Sequence, residues 1–287
     1  MIQIKTWRDP YDSGFSPTRP TSINIEEGLT VLVGCNGAGK TTLLHNIKEE
    51  MKKQNIPCNL YDNLKDGGSN SLSEAFYCED ISLGASLWTA SEGEAIKINF
   101  GRGSSKIKGF LKDGFYDSRS NRFARLFSDK TEIKEIGNQR VLLFDAVDSG
   151  LSVDSIVEVK SVFDLIIEDA KQLGVEIYIV ISANEYELAR NSNCFDVNEG
   201  KYINFKDYED YRKFIIKSRE KKEKRIEKQK IWFDNKKKKE EEALAKRKAK
   251  YDPLIQEIKD KAASENRELT WREQSQIRDY ERKIENR

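Results

Sequence analysis

The chain has 287 residues, with 50 Lys and Arg against 49 Asp and Glu, a single histidine (His45) and four cysteines, none of them in a C-x-x-C pair. That length holds one large domain, or one domain with an appendage; the cysteine spacing suggests neither a zinc site nor a disulfide framework, and the single histidine excludes multi-histidine metal sites and histidine-dependent nuclease chemistry within the chain. No run approaches the roughly 18–20 apolar residues of a membrane helix, and "MIQIKTWRDPYDSG" has no apolar signal core, so a cytoplasmic protein without membrane contact is expected.

Residues 1–33 read as short strands and turns. "SINIEEGLTVLVG" alternates, turns at Glu27-Gly28 and ends in a continuous apolar run, the pattern of a buried parallel strand. "KTTLLHNIKEEMKKQ" follows as a helix, with apolar residues at 43, 44, 47 and 51. In 55–88, Gly67-Gly68 marks a loop and Ser71-x-x-Glu74 is a candidate capping box. Residues 101–140 are Gly-rich and basic. "RVLLFD" predicts a strand, and 153–173 a helix whose apolar face holds Val153, Ile156, Val157, Phe163, Ile166, Ile167 and Ala170, closed by Gly174. "VEIYIVIS" (175–182) is a further apolar, β-branched strand. Such strands alternating with helices predict an α/β fold with a parallel sheet covered on both faces.

The texture changes near residue 206. Residues 1–205 carry 23 basic and 30 acidic residues, net −7, whereas 206–287 carry 27 and 19, net +8. The expected organisation is therefore a head over 1–205 and a charged helical extension over 206–287. In the extension, Asp252-Pro253 reads as an N-cap with proline at the first helical position, so a helix break is expected there. Thr270-x-x-Glu273 reads as a capping box opening a last helix. The apolar heptads are too broken for a coiled coil.

Chemistry concentrates in two stretches. Gly34-Cys35-Asn36-Gly37-Ala38-Gly39-Lys40-Thr41 fits G-x-x-x-x-G-K-[ST] in full, after an apolar strand and before a helix. In that setting successive N–H groups cradle a phosphate, the helix N-terminus adds its positive end, Lys40 reaches the β- and γ-phosphates, and Thr41 ligates Mg2+. The second stretch is "VLLFDAVDSGLS" (141–152). Four apolar residues place Asp145 at the C-terminal end of a buried strand, where it can hold the magnesium through water.

The spelling "GCNGAGKTTLL", which takes in Thr42, resembles the G-x-N-G-x-G-K-[ST]-[ST]-L-L of ATP-binding-cassette (ABC) ATPases. "DAVDSGLS" is similar to the D-loop region of the SMC, RecN and RecF-like branch of that family. The resemblance covers roughly 1–205. It implies a P-loop NTPase head of the ABC-ATPase type, with a parallel core sheet and an N-terminal antiparallel β-subdomain; the C-terminal helical extension lies outside the resemblance. It also implies ATP and Mg2+ as cofactors, and a homodimer formed on ATP binding. Ser91-Glu92-Gly93-Glu94 resembles the family's S-G-G-[QE] signature, so Ser91, Gly93 and Glu94 of one copy are expected on the γ-phosphate held by the other. A plain capping box is the alternative for these residues, and the segment from here to Asp145 is longer than the family's usual one. Asn184 falls at the switch position, usually histidine; it can donate a hydrogen bond but cannot exchange a proton near neutral pH. Trp7, Tyr11 and Phe15 are candidates for an adenine platform, and no Q-loop glutamine stands in 55–88.

Ala146 occupies the place of the family's catalytic glutamate. Without an acceptor to position water, hydrolysis should be slowed by about 10²–10⁴. The residue is either that of a natural ATP sensor or a deliberate Glu→Ala replacement, and the intact flanking motif favours replacement over drift. The resemblance implies an ATPase switch in DNA maintenance or in phage or plasmid defence, with a separate nuclease or effector as possible partner. The alternatives are the ATP-binding subunit of a membrane transporter and a non-hydrolysing, ATP-dependent scaffold. Basic residues in 102–125 and in the tail 228–250, with Trp232 and Phe233 interleaved, are candidate nucleic-acid contacts. The competing reading is a solvated charged helix whose aromatics pack on the head or on a partner.

Overall fold

A computed structural model describes residues 1–7, 9–11, 13–15, 20–62, 107–114 and 137–285. Its described strands are β1 (Ile2–Lys5), β2 (Ser22–Ile25), β3 (Gly28–Val33), β4 (Cys58–Asp62), β5 (Gln139–Asp145), β6 (Glu176–Ser182), β7 (Asn193–Asp196) and β8 (Lys201–Ile203). The helices are α1 (Lys40–Gln54), α2 (Val153–Gln172), the single turn α3 (Tyr186–Ala189), α4 (Tyr208–Ser264) and α5 (Trp271–Glu285), with a further short helix over 107–113. Two compact units result, Met1–Glu223 and Lys224–Arg287. The first unit thus runs past the composition break at 206 and takes in the start of α4.

Among the described residues of the first unit, six strands form one sheet in the order β4-β5-β6-β3-β7-β8. All pairings are parallel except the hairpin β7–β8. β1 and β2 form a separate antiparallel pair with Ile2 opposite Ile25 and Ile4 opposite Ile23. The two-residue side-chain period of a strand sorts the sheet's apolar residues to two faces. Leu32, Val141, Leu143, Tyr178 and Val180 pack with Leu43, Leu44, Ile47 and Met51 of α1 and with the isoleucines of β1 and β2. Val31, Val33, Leu142, Phe144, Ile177, Ile179 and Ile181 pack with Ile156, Val159, Phe163, Ile166 and Ala170 of α2, with Phe110 and Leu111, and with Tyr211 of α4. Helices on both faces explain why the central strands are apolar throughout rather than alternating.

α2 buries a narrower face than its sequence suggests: Val153 and Val157 are 61% and 49% exposed, because they lie off the Ile156–Val159–Phe163–Ile166–Ala170 line that meets the sheet. Its end follows expectation. Gly174 takes φ 68, and the N–H of Val175 returns to the Ala170 carbonyl, as a left-handed helix stop requires.

α4 runs unbroken through Pro253, so the expected break at Asp252 does not occur. Proline removes one helical donor and crowds the preceding turn. Here Tyr251, Ile255 and Ile258 stand on both sides of it in one helical register, and they pack with Ile277, Tyr280 and Ile284 of α5. Tyr251 and Tyr280 stack at 5.5 Å. That packing holds a single helix across the proline. The capping box of α5 forms as read: the Thr270 N–H donates to Glu273 Oε2 at 2.9 Å and the Glu273 N–H donates to Thr270 Oγ1 at 3.4 Å. Among the described residues no helix is long and apolar enough to cross a membrane.

Candidate phosphate-binding site

β5, β6 and β3 are neighbours and run the same way. Their C-terminal ends therefore bring Asp145, Ser182 and the loop after Val33 to one edge, where open α/β sheets bind ligands. The loop needs its glycines: Gly37 and Gly39 take φ 75 and 104, values that side chains disfavour. Gly34 lies so close to Ala38 that a Cβ there would sit 3.0 Å from the alanine's own. Ala38 is fully buried beneath the loop.

α1 starts at Lys40 with no side-chain cap and no acidic residue in its first turn. Among the described residues no side chain caps its leading N–H groups, the arrangement in which a helix N-terminus accepts an anion. Lys40 is buried, and its ammonium donates to the Gly34 carbonyl at 2.7 Å. Burial lowers its pKa, opposed by the nearby charges of Asp148, Cys35 and Asp145. A cleft of about 280 Å³ opens beside the loop, lined by Asn36, Gly37, Gly39, Lys40, Thr41, Thr42, Asp145, Ala146, Ser182, Asn184 and Tyr11. That is many times the share of a single water. The aromatic from the N-terminal segment that reaches the cleft is Tyr11, whose hydroxyl lies 3.4 Å from Thr42 Oγ1; Trp7 lines a separate small pocket with Pro10 and Leu43.

Ser182 and Asp148, to which the motifs assign no role, brace Asp145 and the turn after it. Ser182 donates to Asp145 Oδ1 at 2.6 Å and accepts the Ala146 N–H at 2.7 Å. It thereby fixes the Asp145 carboxylate and the turn after it. Ala146 adopts φ 53. Asp148 is buried, and its Oδ2 accepts the backbone N–H groups of Asn184 and Glu185 at 2.5 and 2.7 Å. Its other oxygen is buried without a hydrogen-bond partner among the described residues. Asp148 therefore ties the turn after β5 to the segment after β6. The serine closing "VEIYIVIS" was the signal for Ser182; Asp148 stood in "VDSGLS".

Asn36, Gly37, Gly39, Lys40, Thr41, Thr42, Asp145, Ala146 and Asn184 thus converge on one cleft, whereas Gly34 and Ala38 do not line it. Ser91, Gly93 and Glu94 lie outside the described residues, as does the candidate capping box at 71–74. Within the basic segment 102–125, Lys108 forms an ion pair with Asp169 at 3.3 Å. Among the described residues no cluster of three or more His, Cys, Asp or Glu could hold a metal ion. Thr41 and Asp145 both line the cleft and bring to it hard oxygens, the donor type that Mg2+ takes. No protein-family model matches the chain, and no curated protein is significantly similar to it.

Proposed function

We propose that the chain is an ATP-binding-cassette-type ATPase of the SMC, RecN and RecF-like branch, which uses ATP binding as a switch between a single copy and a homodimer. One observation carries this reading: Asn36, Gly37, Gly39, Lys40 and Thr41 of the motif line one cleft with Asp145 at the ends of β3, β5 and β6. Lys40 and the N–H groups of the loop and α1 bind phosphate oxygens, while Thr41 and Asp145 provide oxygen ligands for Mg2+. Ser182 holds Asp145 in place. Bound Mg-ATP supplies the γ-phosphate charge, which Ser91 and Gly93 of a second copy then grip. An ADP-loaded site lacks that charge and does not favour closure.

Ala146 favours a second reading, a non-hydrolysing scaffold that recruits a nuclease, an effector or a nucleic acid. In either case the basic segments 102–125 and 228–250 are the proposed contacts for a polyanion, and such contacts weaken steeply with salt. The test is size-exclusion chromatography with light scattering, in Mg2+ with ATP, with ADP and without nucleotide. A doubled mass with ATP alone supports the switch. The same mass in all three conditions refutes it.

A further inference from the structure

The first turns of α4 carry a stripe of residues at 211, 215, 218 and 222, a spacing that keeps them on one helix face. Three of them hold the nucleotide cleft from behind. Tyr211 is buried and donates its hydroxyl to the Asn184 carbonyl at 2.9 Å. Ser218 is buried, and its Oγ accepts the Cys35 N–H at 3.0 Å and the Asn198 side-chain amide at 2.8 Å. The Lys222 ammonium donates to the Asn36 carbonyl at 2.9 Å. Its chain lies against Gly37 so closely that a Cβ there would stand 3.1 Å from Nζ. Ile215 packs into the core between them. Lys221 pins the same stretch to the β7–β8 hairpin through Glu199 at 2.6 Å.

We propose that Tyr211, Ser218 and Lys222 are positioning residues for the phosphate cleft, so that α4 is set by the conformation of both the phosphate loop and the switch segment. The proposal rests on the ATP reading above. Its physical basis is polarity of contact. Cys35 N–H and Asn36 C=O belong to the loop that the ATP reading assigns to the phosphates, and the loop is closed internally by the Ala38 N–H on the Cys35 carbonyl at 3.0 Å. Fixing these two groups holds the loop in the cradle geometry before ligand arrives. Lys222 also brings a second cation to the loop beside Lys40, and its field favours an anion there. Asn184, at the other end of the cleft, is fixed by Tyr211 through its carbonyl, which leaves its side chain to face the cleft. A change at either end of the cleft therefore reaches one helix, which continues without a break to Ser264.

The test uses the full chain, with calorimetric titration of ATP in Mg2+, thermal unfolding without nucleotide, and amide exchange of 208–223 with and without ATP. Lys222→Ala should weaken ATP binding by about 3- to 10-fold, with the nucleotide-free melting temperature shifted by less than about 2 °C. Lys222→Arg should restore affinity to within about 2-fold, since it keeps both charge and donor. ATP should slow exchange in 208–223 of the unsubstituted chain and do so less in Ser218→Ala. Unchanged ATP affinity in Lys222→Ala overturns the proposal. So does a loss shared equally by Lys222→Arg and matched by a lowered melting temperature, which marks a fold role only. No ATP binding by the unsubstituted chain would overturn the ATP reading and this proposal with it, a separate result.

Discussion

Ala146→Glu is the most informative single substitution. The position lines the cleft next to Asp145, its N–H is already committed to Ser182, and its backbone is left-handed at φ 53. A left-handed non-glycine residue costs about 1–2 kcal/mol. Alanine already bears that cost, so a longer unbranched side chain adds little to it. The gain is an acceptor that can orient water at the cleft. Such a group is worth about 10²–10⁴ in rate, or roughly 3–5 kcal/mol of barrier at about 1.4 kcal/mol per decade. Phosphate release at saturating Mg-ATP measures it, with calorimetry as the check that affinity is unchanged. Turnover within about 2-fold of the unsubstituted chain, at equal affinity, would refute the reasoning and leave the scaffold reading. Ala146→Gly is the control. It should raise stability by about 1 kcal/mol by relieving the left-handed backbone and leave turnover as it was.

Three further outcomes follow from the packing and the titrating groups. Phe163 is fully buried and meets Phe144 edge-on at 5.1 Å, so Phe163→Ala should cost about 3–5 kcal/mol in urea unfolding; a loss below about 1 kcal/mol would mean that the α2 interface is not a packed core. Arg267, and then the Thr270 backbone and hydroxyl, hold the Glu273 carboxyl well below its usual value of 4.5. A depressed carboxylate stabilises the fold above its unfolded value and loses that contribution as pH falls below it. Protection of the α5 amides should therefore decline as pH drops from about 4.5, and Glu273→Gln should flatten that dependence. Burial pushes the thiols of Cys58 and Cys194 up to about 12; both should resist iodoacetamide at pH 8 in the native protein and react only after denaturation.

The strands that carry the cleft were legible because each is a buried run that ends in a polar residue: β3 before the glycine loop, β5 at Asp145, β6 at Ser182. β4 was not, since "CNLYD" is short, half-polar and only partly buried at the sheet's edge. Its strand character comes from pairing with β5, which no local pattern announces. The continuous α4 was hidden by Pro253, where local preference argues for a break and the α5 contacts override it. Among the site residues, Lys40, Thr41 and Asp145 are fixed by motif spacing. Ser218 and Lys222 stand some 180 residues from the loop they hold. A serine and a lysine in a charge-dense helix give no sign of such a role until the fold brings the two segments together.

The Lys224–Arg287 unit has only a small core of its own, centred on Ile255, Ile277 and Ile284. The helix before it is open to solvent over most of 233–250, with lysines at 236–239 and a basic run at 246–248. Helices so little buried open often, and a protease cuts what opens. Trypsin, which cleaves after basic residues, should therefore nick this stretch first in cell extract. Material stored without inhibitors would accumulate a trimmed species that keeps residues 34–41 and the six-stranded sheet, while having shed its last helix.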